Sequence, residues 1–448
     1  MDDLMTISVE LNAWLDQNWS PDRSLIEWRD LLVDGGWAAP GWPRAYFGRD
    51  FSPEQSALVE AEFARRGIVG AAQSGPRRLA AETILAHGSE DQKQRYLRPI
   101  LTGQHAWCQL FSEPGSGSDL AGSTTRAELQ SGRAGQQEGR AGQQEDRAEQ
   151  QEGRAGQQED RYIINGQKVW TTSAHHADFG ILLARTDWDV PKHQGLSYFL
   201  FDMRQSGVEV RPLRQMNGHA SFNEVFMTDA SVDPRDLIGG EGNGWRVAAT
   251  TLSIERQGFS QSRPDGGLKG LSSLQGRVYD EYRAELLIAL EPYTWYPQRA
   301  GRADLALPRA RQTGAINDPH IRQEIAKLLS MKQGADLAAA SAAALSRAGS
   351  NTVSPQGSIG KLAASVIARQ AAHVHTLVAG TDAMLGGAAS AEAGVIAEIL
   401  LSVPAISIAG GTDEIQKNII AERVLEMPKE PRSDSGPFRA IARNSTDK

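Results

Sequence analysis

The spacing of apolar residues along this chain changes period twice, and that constrains the fold more than any single motif. Up to about residue 105, Trp14, Leu15, Leu25, Ile26, Trp28, Leu31 and Leu32 recur at helical spacing. Ser52-Pro53 predicts an N-cap followed by proline at the first helical position, with the helix running through Leu58, Val59, Phe63 and Ala64. Ser89 with Gln92 three residues on predicts a capping box, and Pro99 and Gly103 are expected to close that helix. From about residue 106 the segments shorten. Trp107 to Phe111, TTRAEL, RYIINGQKVWTT, DFGILLART, LSYFLFDM, GVEVRPL and EVFMTDASV are β-type stretches separated by Gly, Asp, Asn and Pro. Asn165-Gly166 is a hairpin signal. Several strands with no helix between them suggest a compact barrel or sandwich. From about Gly240 the chain turns helical again, at 323–347, 360–378 and 391–401. The expected divisions are therefore 1–105, 106–238 and 239–448.

Two segments stand apart. Residues 133–160 hold four near-identical heptads, RAGQQEG, RAGQQED, RAEQQEG and RAGQQED. Their only apolar side chains are alanines, so a coiled coil would have no seam to bury. The expectation is a solvated loop lengthening the connection between two strands, an insertion that costs little stability. The stretch 271–310 carries Tyr279, Tyr282, Leu286, Leu287, Leu290, Tyr293, Trp295 and Tyr296. It has enough apolar surface either to line a substrate channel or partner surface, or to form an extra helix closing on the core. The second reading is the simpler one.

Composition excludes several functions. With 55 acidic against 47 basic residues the net charge is −8, which argues against a general nucleic-acid binder or a protein docking on anionic lipid. A single cysteine, Cys108, leaves no internal disulfide and no cysteine-based zinc site. His175-His176 and His373-x-His375 do not share a helix face, so no metal site is expected. The acidic N-terminus is not a signal peptide, and ILLSVPAISIAGG, interrupted by Pro404, is too short to span a bilayer. A reducing cytoplasm is the expected location. Phosphate-loop and nucleophile-elbow motifs are absent, and GGEGNG at 239–244 reads as a loop before a helix.

The informative segments lie elsewhere. CQLFSEPGSGSDLAG at 108–122 is a strand running into a Pro/Gly/Ser turn, a geometry that exposes N–H groups and hydroxyls to phosphate or a polar ring edge. KVWTTS at 168–173 sets an aromatic plane beside hydroxyls, as a stacked heterocycle would need; a tryptophan in a strand is otherwise core. These two, in this order, together with INGQKVWTTSAHHADFGILLART and the tail AGGTDEIQKNIIAER at 409–423, resemble the acyl-CoA dehydrogenases over nearly the whole chain. The resemblance implies an α+β protein with an N-terminal helical domain, a middle β-barrel and a C-terminal four-helix bundle. It implies FAD as cofactor, an acyl-CoA substrate and electron-transfer flavoprotein as electron acceptor. The reaction it implies is removal of an α-proton and transfer of a β-hydride to the flavin.

Carried over by motif, Phe111 and Ser112 would face the flavin ring, Ser118 its pyrophosphate or nearby substrate, Trp170 its plane and Thr172 its N5 edge. Thr412, Glu414 and Gln416 fall in the cofactor-binding tail. Arg311, in Arg-Gln-Thr-Gly, resembles an arginine that reaches the FAD of a neighbouring subunit, although the usual aromatic after that threonine is missing. Many relatives carry their catalytic base in a Glu-Gly-Thr segment of the tail; here the corresponding residues are Gly410-Gly411-Thr412. The glycine cannot take a proton, but its N–H can donate to the thioester oxygen. Another branch places the base on the first helix after the barrel, and Leu252-Ser253-Ile254-Glu255-Arg256 matches that setting. Glu255 is the expected base, with a carboxyl raised by burial. Arg256 is expected to anchor substrate or structure. Ala383 stands where many relatives carry a glutamine on the adjacent subunit's flavin. The chain is thus an active dehydrogenase in a homo-dimer or homo-tetramer, a partner subunit in a tetramer with a related chain or, last in order, a non-enzymatic binding scaffold. An oxygen-using oxidase of the same fold ranks lower, for want of the extra C-terminal domain common there. Neither chain length nor ring content of the acyl group is legible.

Overall fold

A computed structural model describes residues 2–72, 75–131, 160–258, 273–347, 356–431 and 434–441. Of the heptads at 133–160, residues 133–159 lie outside the described residues. The first third forms helices α1 (Asp2–Asn18), α2 (Leu25–Asp34), α3 (Pro53–Arg66), α4 (Pro76–His87) and α5 (Glu90–Thr102). Ser24, Ser52 and Ser89 each close a capping box, with Glu27, Gln55 and Gln92 reaching back to the cap N–H. Each such cap stabilises its helix by roughly 1 kcal/mol. Gly103 ends α5 in the left-handed region, at φ 85°, as expected. Pro99 does not end it. The last turn continues through Ile100 and Leu101, both fully buried, and burying two such side chains offsets the roughly 3 kcal/mol cost of an interior proline. Trp28 anchors the apolar core, with Trp14 and Trp19 at ring separations of 5.7 and 4.6 Å.

The middle third is one sheet of strands β1 (Trp107–Leu110), β2 (Arg126–Gln130), β3 (Arg161–Thr172), β4 (Phe179–Arg185), β5 (Leu196–Asp202), β6 (Val208–Leu213), β7 (Phe222–Val232) and β8 (Leu237–Ile238). The hydrogen-bonded order is β6-β7-β3-β2-β4-β5-β8, with β1 parallel to β4. The sheet curls barrel-fashion around Leu182, Ala184, Phe199, Phe201, Val225 and Met227. The alternate side chains of β4 and β5, Ile181, Leu183, Tyr198 and Leu200, face outward onto Ile84, Leu97 and Val247 of the surrounding helices. Burial on both faces explains why these two strands read as continuous apolar runs. Asn165-Gly166 is not a hairpin turn. It lies inside β3, where the register with β7 shifts between Ile164 and Gly166. There Asn165 exchanges hydrogen bonds with Asp229, Nδ2 to Oδ1 at 3.0 Å and Asp229 N–H to Oδ1 at 2.9 Å. The strand runs on because Ile164, Lys168 and Val169, on either side, are buried. Gln130 pairs with Arg161, so β2 and β3 leave the ends of the heptad insertion side by side.

The last part holds α6 (Gly244–Gly258), α7 (Arg277–Leu290), α8 (Tyr296–Arg299), α9 (Ala303–Gln312), α10 (Pro319–Arg347), α11 (Gln356–Ala379), α12 (Val395–Ser402) and α13 (Asp413–Arg423). Helices α9 to α11 share a core of Ala306, Ala310, Ile325, Leu328, Ala371 and Val374. Helices α11 and α12 and the 403–407 turn share Ala368, Ile396, Ile399, Val403 and Ile406. Helix α7, the first half of the aromatic stretch, folds back on the N-terminal helices: Val278 and Tyr279 join their core, and Glu285 bonds Arg29 at 2.6 Å and Arg77 at 2.7 Å. It is the extra helix closing on the core. No helix among the described residues is long and apolar enough to cross a membrane.

Candidate active site

The site is built where β1 runs into the Ser/Gly turn. Glu113 and Lys168 form a buried ion pair at 2.8 Å, their side chains 5% and 0% exposed. The Lys168 ammonium also donates to the Phe111 carbonyl at 3.0 Å. Glu113 further accepts from the N–H groups of Thr124 (2.7 Å) and Thr125 (2.9 Å) and the Thr124 hydroxyl (3.0 Å). Burial alone would push this carboxyl up; Lys168 and these donors outweigh it and hold it at about 2. Burial likewise pulls on the Lys168 ammonium, but the close carboxylate keeps the pair ionised. The pair fixes Phe111–Glu113 against β3, and Val169 N–H donates to the Ser112 carbonyl at 2.9 Å.

The next residue is held in an unusual conformation. Trp170 has φ 62°, in the left-handed region that bulky residues avoid. The register shift between Lys168 and Thr171 turns it out of the sheet, and it is 56% exposed. Its ring meets Phe222 edge-on at 5.7 Å. Thr171, beside it, has a buried hydroxyl without a partner among the described residues, and Thr172 and Ser112 are half-buried. An exposed indole plane bracketed by hydroxyls fits a flat, polar-edged ring such as a flavin. Ser118 is exposed on the turn. The turn is pinned at its base by Ser116, whose hydroxyl donates to the Asp119 carbonyl at 2.6 Å.

Glu255 sits near the end of α6. It is not a surface glutamate paired with Arg256: among the described residues no cation lies within 4 Å of its carboxylate, and the side chain is half-buried. Gln109 of β1 donates to it at 3.4 Å. Burial pushes the Glu255 carboxyl up, and Gln109, Arg256 and Arg299 only partly oppose this. Arg256 packs against Gly357 at the start of α11, and burial lowers its guanidinium.

The tail approaches from α13. Gly410 has φ 68° and Gly411 φ 86°, backbone that a glutamate would occupy only under strain. Gln416, fully buried, donates to the Gly410 and Gly411 carbonyls at 3.0 and 3.2 Å, leaving its own oxygen unpaired. Thr412 caps α13, its hydroxyl accepting from Ile415 N–H at 3.3 Å. Asp413 bonds Lys361 at 3.1 Å and Arg369 at 2.7 Å. Burial pushes its carboxyl up, but these cations and Ser365 prevail and hold it at about 2. Glu414 is exposed, and Arg311 is exposed near the end of α9.

Several residues of the site were not anticipated from the sequence. Gln109, Glu113 and Lys168 lie inside the quoted motifs, where a buried charge two residues before Trp170 was the available signal. Tyr293, Tyr296 and Arg299 come from the second half of the aromatic stretch. Tyr293 and Tyr296 meet at 4.7 Å, and the Arg299 guanidinium stacks on Tyr296 at 3.6 Å. Trp295 reaches Phe222 at 6.2 Å, and through it the Trp170 side of the sheet. Among the described residues no three His, Cys, Asp or Glu side chains gather as metal ligands.

This geometry fits a flavin-dependent enzyme, and comparison with known proteins identifies the class as the acyl-CoA dehydrogenases. The acyl-CoA dehydrogenase N-terminal, middle and C-terminal domain families match residues 7–104, 142–230 and 300–425. The chain is 30% identical over 459 residues to acyl-CoA dehydrogenase IpdE1 of Mycobacterium tuberculosis, covering 96% of this chain and 100% of that one. It is 32% identical over 406 residues to IpdE1 of Mycolicibacterium smegmatis, covering 90% and 88%. Among solved structures, the Tcur3481-Tcur3483 steroid ACAD shares the fold at a TM-score of 0.61 and 20% identity, covering 96% of this chain and 99% of that one. The ChsE4-ChsE5 complex of Mycobacterium tuberculosis does so at 0.56 and 21%, covering 96% and 99%. The chain belongs to the acyl-CoA dehydrogenase family of FAD-binding oxidoreductases.

Proposed function

We propose that this protein converts an acyl-CoA thioester to the 2-enoyl-CoA, with Glu255 taking the α-proton. The observation that carries the reading is a convergence. Gln109 touches Glu255, and three residues further along the same segment Ser112 is bonded to Val169 beside Trp170. From the other side, Tyr296, Trp295 and Phe222 form a continuous aromatic path toward Trp170, with ring separations of 5.1, 6.2 and 5.7 Å. A carboxyl raised by burial is poised closer to a neutral working pH than an ordinary glutamate, which is what a general base requires. The Gly410 N–H makes no hydrogen bond among the described residues. It is free to donate to the thioester oxygen, where negative charge grows as the α-proton leaves. Glycine at 410 also leaves space for a carboxylate arriving from α6.

FAD, when bound, supplies the hydride acceptor for the β-carbon. Phe111, Ser112, Trp170 and Thr172 would hold its ring and Ser118 its pyrophosphate, with Thr412, Glu414 and Gln416 contributing from the tail. Arg311, exposed, would reach the cofactor of a neighbouring subunit. Ser118 and Arg256 would steady the CoA portion of the substrate. Electrons would leave to an electron-transfer flavoprotein. The open apolar face of α10 and α11, with Met331, Ala335, Leu362 and Val366, supports pairing with another copy or a related chain.

A second reading, a partner subunit contributing walls but little catalysis, is favoured by Ala383, whose small buried side chain offers no hydrogen bond to a neighbour's flavin. FAD content of the purified protein separates the two. One FAD per chain, bleached anaerobically by an acyl-CoA, supports the first; a chain without flavin that gains activity only beside a flavin-bearing partner supports the second.

A further inference from the structure

Arg299 ends the short helix α8, which packs against α12 and the 403–407 turn leading to Gly410. It is only 7% exposed. The other buried arginines of the helical regions have carboxylate partners: Arg29 meets Glu285 at 2.6 Å and Arg309 meets Glu392 at 3.3 Å. Among the described residues no carboxylate lies within 4 Å of Arg299. One face of its guanidinium is covered by the Tyr296 ring at 3.6 Å, with the Trp295 ring at 5.7 Å. Stacking of this kind leaves the in-plane N–H edge, up to five donors, for an acceptor. A desolvated cation without an anion is costly, and a bound acceptor would offset that cost.

The base is near but is not that anion. No ion pair joins Arg299 to Glu255, although its charge opposes the rise of the Glu255 carboxyl. The Tyr293 and Tyr296 hydroxyls add polar character to the same wall; both sense Glu255 and Arg299, and burial keeps both protonated. A pocket for a plain alkyl chain would be lined with aliphatic side chains. This wall instead presents a guanidinium and two phenols. The wall lies under Trp295, itself 1% exposed, away from the solvent that the charged groups of CoA need.

We infer that Arg299, flanked by Tyr293 and Tyr296, binds an oxygen function on the acyl group, so that the enzyme selects oxygenated acyl-CoA thioesters over hydrocarbon ones of equal size. The inference deepens the proposed function and rests on its placing the acyl group beside Glu255. A charge-assisted hydrogen bond to one acceptor sets the expected selectivity at about 10- to 100-fold.

The test is equilibrium binding to the flavin-loaded Glu255→Gln protein, in which turnover plays no part. Isothermal titration would use pairs of CoA thioesters on one skeleton, differing only by a keto, hydroxyl or carboxylate group on the acyl part. The expected result is tighter binding of the oxygenated member by 10-fold or more. Adding Arg299→Met should bring that ratio toward 1, Arg299→Lys should keep part of it, and Tyr296→Phe should reduce it a few-fold. Equal affinity for both members in the parent protein would overturn the inference. So would an Arg299→Met protein that weakens both members alike, since that is the mark of a structural arginine. Should Arg299→Met not fold, the Lys and Tyr296→Phe ratios still decide. Failure of Glu255 as base would appear separately, as flavin reduction persisting in Glu255→Gln while the binding ratio stands.

Discussion

Replacing Lys168 by methionine should cost about as much as any single change in the middle domain, because it strands a carboxylate where water does not reach. Lys168 and Glu113 are 2.8 Å apart with side chains 0% and 5% exposed. Holding the Glu113 carboxyl at about 2 rather than the usual 4.5 corresponds to roughly 3 kcal/mol at neutral pH. The sign follows from linkage. A depressed carboxyl contributes its full stabilisation above the unfolded value near 4.5, and loses it as pH falls toward 2. Lys168→Met leaves Glu113 with only the Thr124 and Thr125 donors, and breaking a buried pair on one side costs about 3–5 kcal/mol. The double variant Glu113→Gln, Lys168→Met strands no charge and should recover a large part of that loss. Urea titration followed by tryptophan emission, with FAD retention read in parallel, measures the cycle. Because the pair ties Phe111 to β3 beside Trp170, flavin should be lost from the single variants before global unfolding. Single variants within about 1 kcal/mol of the parent, or a double variant as damaged as the sum of the singles, would refute the reasoning.

Three further outcomes are expected. Asp413→Asn strands the buried Lys361 and should loosen the tail by about 3 kcal/mol, seen as faster hydrogen exchange at 403–423 with weaker FAD retention; unchanged exchange would count against the clamp. Because burial raises the Glu255 carboxyl and a base must be deprotonated, kcat/KM should rise with pH through an inflection above 4.5, and Glu255→Gln should unfold at an equal or higher temperature than the parent at pH 8. An inflection at or below 4.5 would contradict this. Removing the heptads at 133–159 behind a short glycine linker should leave melting temperature and flavin content nearly unchanged, since Gln130 and Arg161 are already paired; a fall of many degrees would show that the repeats pack.

What the sequence disclosed follows the range of the forces involved. Ser24, Ser52 and Ser89 cap helices through bonds to residues three positions on, so their signals are local. The runs of β4 and β5 announced burial on both faces. Pro99 and Asn165-Gly166 misled because tertiary burial overrode local preference: Ile100 and Leu101 carried the helix past the proline, and buried neighbours turned a hairpin signal into a bulge. Helix α4 carried no signal clear enough to be expected. The motif residues were found by resemblance, and the chain brings Gln109, Glu255, Ser112 and Trp170 into one neighbourhood. Tyr293 and Tyr296 were expected only within a stretch that could line a substrate channel, and Arg299 not at all, because nothing periodic joins them to a glutamate some forty residues earlier. The chain reaches them only after α7 has folded back on the N-terminal helices.

The central claim is that the Glu255 carboxylate removes the proton that starts the reaction. Anaerobic mixing of the flavin-loaded Glu255→Gln protein with an acyl-CoA that bleaches the parent tests it most directly. The account predicts a full complement of FAD, retained thioester binding and bleaching slowed by several orders of magnitude; bleaching at the parent's rate would contradict it.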